Sequence, residues 1–259
     1  MIDFPDTATF AAILADHRFI TAAAIAAVSG LVRGFSGFGG AMIYMPLVAA
    51  VYEPRIAAVT ILLVDFICST PFAIPELRRC TWREVLPISI AMAAAVPVGT
   101  WALIALDPIV LRWGIAILVL SIVPALASGW RYRGKPRMPI TIGVGLFSGV
   151  SAGAVQIAGP PVILYWLSGG NSAVTVRANL MVFFMLCGVA LVVSYAVEGL
   201  FTAQSLALSI LLGGPFIAGV GTGSYFFRGV SDRRYRVVAY ITIALAALLS
   251  VPLLDPILR

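Results

Sequence analysis

A long apolar segment occurs twice in this sequence, and in both copies small residues and a proline interrupt it. The first copy runs from Leu31 to Ala50 as LVRGFSGFGGAMIYMPLVAA, and the second from Leu146 to Gly170 as LFSGVSAGAVQIAGPPVILYWLSGG. A shift of 115 residues superimposes several identical residues, among them five pairs of small residues, prolines and hydroxyl residues. They are Gly30 and Gly145, Gly34 and Gly149, Ser36 and Ser151, Pro46 and Pro161, and Thr60 and Thr175. In membrane proteins, a pair of broken apolar segments at matching positions of two halves indicates a binding site.

The composition places both segments in a membrane. Of the 259 residues, 61% are hydrophobic and 11% are charged, whereas soluble domains are about half apolar and about a quarter charged. The apolar runs have the length of membrane-spanning helices. We therefore predict an all-α integral membrane protein. Residues 1–19 lack the basic start of a signal peptide and carry Asp3, Asp6 and Asp16, so we expect an exposed acidic cap there.

Eight apolar runs follow one another along the chain. They cover approximately 19–52, 56–75, 85–106, 109–129, 139–168, 174–197, 203–227 and 237–254. A spanning helix needs about 20 apolar residues, which six of these runs match. The first and fifth runs are too long for one crossing and too short for two comfortable ones. Both contain the interruptions, at Gly37 to Gly40 and at Gly153 to Pro161, which disrupt a continuous helix.

The basic residues indicate how the two long runs cross, because cytoplasmic loops carry an excess of Lys and Arg. If each long run crosses once, the two faces carry nine and seven basic residues, which is almost no bias. If each long run enters and leaves by one face as a hairpin, the counts become twelve and four, leaving out Arg33 within the first hairpin. We therefore predict two hairpins, with both termini on the basic-poor, periplasmic face.

Each half contains five segments. Because this number is odd, the second half is inverted relative to the first. We expect a single membrane domain over 1–259, with one inverted repeat at 1–130 and another at 131–259. Each repeat comprises a broken re-entrant hairpin and about three transmembrane helices. Irregular backbone at membrane depth must be covered by protein or line a watery cavity. The two hairpin tips are therefore expected to meet near the midplane and hold the substrate between them.

Helices that begin inside the membrane present free N–H groups and a positive dipole end, which suits an anion. The candidate substrate-binding groups are the backbone around Gly37, Gly39, Gly40, Gly159 and Pro160, the hydroxyls of Ser36 and Ser151, and the Gln156 amide. The competing interpretation is close helix packing through Gly30-x-x-x-Gly34 and Gly145-x-x-x-Gly149.

Two charged residues fall within apolar runs, where an ionisable side chain is costly and needs a reason. Arg33 is either a bidentate partner for an oxyanion or an arginine that Asp65 or the interface neutralises. Asp65 is either a proton carrier for coupling or the counter-ion of Arg33. Arg177 is a secondary candidate that could equally be an orientation charge. Thr60 and Thr175 occupy equivalent positions beside the hairpins, and each could simply bond its own preceding turn.

Several chemistries are not expected. A phosphate-binding loop is missing, because Gly134-Lys135 is followed by Pro136, so we expect no ATP hydrolysis. A lone His17 and three cysteines without metal spacing predict no metal site. The basic residues sit in short loops, as membrane orientation requires, so no nucleic-acid partner is expected. The predicted protein is not an enzyme and has no cofactor; its partners are a small anion, protons and the lipid bilayer, and a homo-oligomer stays open.

The glycines and prolines of the two copies carry a family resemblance. The first copy has Gly30, Gly34, Gly37, Gly39, Gly40 and Pro46, and the second has Gly145, Gly149, Gly153, Gly159, Pro160 and Pro161. This arrangement resembles the sulfite exporter TauE/SafE family, also called the toluene sulfonate uptake permease family, although the second copy departs more. The resemblance implies a secondary transporter of the bacterial inner membrane that moves sulfite, sulfonates or organosulfur anions such as sulfoacetate. The alternatives are a permease for another small anion and a membrane scaffold or assembly subunit that transports nothing.

Overall fold

A computed structural model describes residues 4–36, 39–127, 137–166 and 173–226. These residues form ten α-helices and one short 3₁₀ helix, Ile74–Arg78. The α-helices are α1 Thr7–Ala15, α2 His17–Ser36, α3 Gly40–Val51, α4 Pro54–Ala73, α5 Trp82–Ala105, α6 Pro108–Ala127, α7 Met138–Val155, α8 Gly159–Trp166, α9 Ala173–Val197 and α10 Ala203–Phe226. The predicted run at 237–254 lies outside the described residues.

The length and composition of these helices confirm an all-α membrane protein. In the part of the chain that the structure describes, five helices are long and apolar enough to cross a membrane. The pair α1 and α2, bent by 86° at Asp16, makes a sixth when it is counted as one span. The helix α1 was not predicted, because its nine residues are too few to span a bilayer.

Both long apolar runs are broken inside the predicted interruptions. In the first run α2 ends at Ser36 and α3 begins at Gly40, and in the second α7 ends at Val155 and α8 begins at Gly159. A Cβ added to Gly40 would lie 3.2 Å from the Ser29 carbonyl oxygen of α2. Since Ser29 lies about two turns before the end of α2, the chain turns back along that helix.

The helices divide between two compact units. The first contains α1, α2, α3, α4 up to Val64, α6 and α10, and the second contains α4 from Asp65, α5, α7, α8 and α9. Each unit therefore combines helices from 1–130 with helices from 131–259. The inverted relation between those two halves stays a prediction from the sequence.

In the first unit, α2 and α10 pack with their backbones in contact. A Cβ on Gly30 would lie 2.1 Å from the Phe216 carbonyl oxygen, and one on Gly34 would lie 2.1 Å from that of Val220. In the reverse direction, a Cβ on Gly223 would lie 2.1 Å from the Leu31 carbonyl oxygen. Later residues of one helix face later residues of the other, so the two helices run parallel. The packing interpretation of Gly30 and Gly34 is therefore correct for these two positions.

The second unit repeats this arrangement with α7 and α5. A Cβ on Gly145 would lie 2.6 Å from the Ile88 carbonyl oxygen, and one on Gly149 would lie 2.2 Å from that of Met92. These helices also run parallel, which places Arg79, before α5, and Arg137, before α7, at the same end of the unit. This placement agrees with the predicted common face of the two basic loops.

Candidate functional site

The first helix break combines a helix N-terminus with an arginine. Gly39 precedes α3 with φ 89°, a left-handed conformation that favours glycine. Having no side chain, Gly39 cannot cap the first N–H groups of α3; its carbonyl accepts from Met42 at 3.1 Å. The N–H groups of Gly40 and Ala41 have no acceptor within the helix. The half-buried Arg33 lies in the last turn of α2. It is close to the start of α3, because a Cβ added to Gly40 would lie 3.1 Å from the Cβ of Arg33.

Two predicted binding residues fall at this first break without structural description. Gly37 and the side chain of Ser36 lie outside the described residues. Their proposed role as anion donors stays a prediction from the sequence.

The second helix break is built around Gln156 in a left-handed conformation. Its φ of 60° and ψ of 23° make it the one residue other than glycine with a positive φ in the described ranges. Two backbone bonds close the end of α7 around it: the Gln156 N–H donates to the Ala152 carbonyl at 2.9 Å, and the Ile157 N–H to the Ser151 carbonyl at 3.3 Å. A left-handed conformation costs a residue with a Cβ about 1–2 kcal/mol. Outliers of this kind cluster at functional sites.

The Gln156 side chain joins a buried tyrosine at this break. Its Nε2 donates to the Tyr195 hydroxyl at 2.9 Å, and that hydroxyl donates to the Gly153 carbonyl at 2.8 Å. The single hydroxyl proton of Tyr195 is used on Gly153, so the hydroxyl must accept from the amide nitrogen of Gln156. The amide thus has a defined orientation, with its second N–H left for another acceptor.

The beginning of α8 follows directly and is buried. Ala158, Gly159 and Pro160 are each largely shielded from solvent. The first four N–H groups of a helix have no acceptor within it, but Pro160 and Pro161 carry no N–H. The donors that remain are those of Ala158 and Gly159, and neither reaches an acceptor within the described residues. A buried helix end with unsatisfied donors calls for a ligand or a cap.

Four further predicted residues lie in the helices α4, α7 and α9. Ser151 is buried in the last turn of α7, and Asp65 is half-buried and accepts a hydrogen bond from the Ser69 hydroxyl at 3.2 Å. Thr175 is half-buried and Arg177 is exposed near the start of α9. No group of His, Cys, Asp and Glu side chains among the described residues could hold a metal ion.

Thr60 is fully buried and makes a local hydrogen bond, as one of its two predicted interpretations states. Its hydroxyl donates to the Ile56 carbonyl at 2.8 Å and accepts from the Tyr44 hydroxyl at 2.9 Å. The second bond joins α4 to α3 within the first unit. Thr60 therefore supports the helix that follows the first break.

Sequence reasoning missed Tyr195 and Tyr44, which hold the two hairpins to neighbouring helices. The available signal was a polar aromatic residue inside an apolar run, because a buried tyrosine hydroxyl usually finds a partner. The identity of that partner depends on helix packing, which the sequence does not show.

In the described part of the chain, helices broken inside apolar runs lie among five or six helices able to span a membrane, an arrangement typical of the secondary transporter class. The chain belongs to the sulfite exporter TauE/SafE family, whose sequence model matches residues 22–250. Comparisons with curated proteins and with solved structures returned no match.

Proposed function

We propose that this protein is a secondary transporter that exports a small sulfur oxyanion, such as sulfite, across the bacterial inner membrane. The observation that supports this most is the buried start of α8, where the N–H groups of Ala158 and Gly159 and one N–H of Gln156 find no acceptor among the described residues. An oxyanion supplies several acceptor oxygens and a negative charge, which a helix N-terminus stabilises.

The first break contributes the same chemistry in the proposal. The N–H groups of Gly40 and Ala41 and the positive end of α3 attract an anion, and Arg33 adds a full positive charge nearby. The sequence adds Ser36, Gly37, Ser151 and Pro160 to the proposed binding residues. That both breaks bind one and the same anion rests on the sequence alone.

The energy source in the proposal is a gradient across the membrane. An inside-negative potential favours exit of an anion by about 2.3 kcal/mol per charge per 100 mV, so export needs no nucleotide. Asp65 is the proposed proton carrier if transport is proton-coupled, because carboxylates within spans serve as proton relays. Both termini are placed in the periplasm by the excess of Lys and Arg on the opposite face.

The test is efflux of radiolabelled sulfite from proteoliposomes that contain the purified protein. We expect saturable efflux above that of protein-free vesicles, and a loss of at least tenfold in the Arg33→Ala and Gln156→Ala double variant. The matched control removes the same two groups from exposed positions, in an Arg83→Ala and Gln204→Ala double variant, which should transport like the wild type. Equal efflux by both double variants would refute the proposed site.

The same vesicles separate the finer alternatives. Competition by sulfoacetate and other sulfonates, but not by chloride or acetate, would extend the substrate class to organosulfur anions. A non-transporting scaffold predicts wild-type efflux equal to that of empty vesicles, and no thermal stabilisation of the protein by any sulfur anion. Asp65→Asn should abolish the effect of a pH gradient on efflux if the carboxyl carries the proton.

A further inference from the structure

Two adjacent residues of α9 make hydrogen bonds to neighbouring helices: Ser194 to α5, and Tyr195 to the end of α7. The Ser194 and Thr100 hydroxyls are 2.8 Å apart, and the Thr100 hydroxyl donates to the Val96 carbonyl at 3.0 Å. Thr100 and Tyr195 are fully shielded from solvent, and Ser194 is nearly so. Ser194 therefore holds α9 against α5, while Tyr195 reaches the end of α7.

The last turns of α7 lie against the turn of α5 from Val96 to Thr100. A Cβ on Gly153 would lie 2.4 Å from the Val96 carbonyl oxygen and 2.7 Å from the Thr100 backbone nitrogen. Gly153 thus contacts α5 through its Cα and accepts from Tyr195 through its carbonyl. Movement of α7 at this point requires both contacts to change.

The left-handed backbone conformation of Gln156, at the end of α7, indicates what these contacts hold in place. Glycine adopts this conformation without strain, and it is the usual residue at the end of a helix. A glutamine there costs stability, so its side chain must supply something that glycine lacks. Among the described residues, the side chain makes one hydrogen bond, to Tyr195, and that bond engages one N–H of the amide.

We propose that Tyr195 is a positioning residue for anion binding, acting through Gln156. This inference rests on the proposed function, in which Gln156 donates to the transported anion. Tyr195 accepts one N–H of the amide, which leaves the other N–H for the anion. Ser194 and Thr100 hold the segment of α9 that carries Tyr195 in register with α7.

A purely structural tyrosine would behave differently. Loss of its hydroxyl would lower the amount of folded protein and the maximal rate together, but it would leave the substrate concentration at half-maximal rate unchanged. A positioning residue changes that concentration, and its effect disappears once the amide it orients has been removed.

The experiment measures KM and maximal rate of sulfite efflux for the wild type, Tyr195→Phe, Gln156→Gly and the double variant. We expect each single variant to raise KM about tenfold with the maximal rate, per reconstituted protein, within twofold. The double variant should raise KM no further, because both changes remove the same oriented donor. Tyr165→Phe is the matched control: this buried tyrosine pairs with Thr141 at the opposite end of α7, and its loss should leave KM unchanged.

Two results would overturn the inference: a Tyr195→Phe protein with wild-type KM, or KM effects that multiply in the double variant. In both cases saturable efflux by the wild type would still support the proposed function. Absence of saturable wild-type efflux would overturn both. Should Tyr195→Phe fail to fold, Ser194→Ala loosens the same segment and should raise KM two- to threefold. An unchanged KM in that variant would also contradict the inference.

Discussion

The close contact between α5 and α7 predicts that one glycine of α7 cannot become alanine without a large loss of stability. A Cβ on Gly149 would lie 2.2 Å from the Met92 carbonyl oxygen and 2.9 Å from the Ala95 Cβ. Ordinary contact begins at 3.4 Å, so the two helices would have to separate by roughly 1.2 Å. A separation of that size loses a large part of the dispersion energy along the whole interface.

The magnitude follows from two opposing effects. Forcing an extra carbon into a well-packed interface costs about 1–3 kcal/mol, while replacing glycine by alanine inside a helix gains about 0.5–1 kcal/mol. The matched control is Gly143→Ala in the same helix, where an added Cβ would meet nothing within 4 Å. We therefore expect Gly149→Ala to be less stable than Gly143→Ala by about 2 kcal/mol or more.

The assay is reversible unfolding in mixed detergent micelles, followed by circular dichroism, with the free energy of unfolding compared at one detergent composition. The first unit offers an independent pair two residues apart in α10. A Cβ on Gly223 would lie 2.1 Å from the Leu31 carbonyl oxygen, and one on Gly221 would meet nothing within 4 Å. Equal free energies within both pairs of variants would refute the backbone contact between these helices.

Three further predictions concern other parts of the chain. Gln156→Gly should have a free energy of unfolding about 1 kcal/mol higher than Gln156→Ala, because glycine accepts the left-handed conformation, whereas both variants should raise the KM of sulfite efflux about tenfold. Equal free energies of unfolding would refute backbone strain at Gln156. In a double-mutant cycle, Tyr44→Phe and Thr60→Val should show a coupling of about 0.6 kcal/mol in unfolding free energy, typical of hydrogen bonds within membranes, and additive effects would contradict the bond between them. Hydrogen bonds from the Thr9 hydroxyl and then the Thr9 N–H hold the pKa of Asp6, before α1, below its ordinary value. Asp6 therefore caps α1 fully at pH values above its ordinary pKa, and the cap is lost as the pH falls through the lowered pKa. Amide hydrogen exchange in α1, corrected for intrinsic rates, should report this loss. Asp6→Asn, which still caps but does not titrate, should show no such change.

The sequence predicted the helix breaks because glycine and proline act locally. The four residues from Gly37 to Gly40 and the stretch from Gly153 to Pro161 interrupt helices through backbone freedom and missing N–H groups, whatever packs around them. The described helix boundaries confirm both interruptions. The length of the spanning helices was equally accessible, since the width of the bilayer sets it.

The sequence could not decide which glycines pack and which bind, because that depends on neighbouring helices. Gly30, Gly34, Gly145 and Gly149 proved to be packing positions once α10 and α5 were seen beside them. Each of these partners comes from the other half of the chain, at a separation that no local pattern specifies. The hydrogen bonds of Tyr195 could not be predicted from the sequence for the same reason, because its partners lie 39 and 42 residues away.

In the proposed function, the break between α7 and α8 binds an oxyanion. The most direct test is a crystal structure of the protein soaked with selenite, a pyramidal analogue of sulfite, whose selenium can be located by anomalous scattering. We predict an anomalous peak that places the selenite oxygens within hydrogen-bonding distance of the Gly159 N–H and the Gln156 amide, and no peak there in crystals of Gln156→Ala. Selenium found only at surface positions, or bound equally well in the variant, would show that this break does not bind the anion.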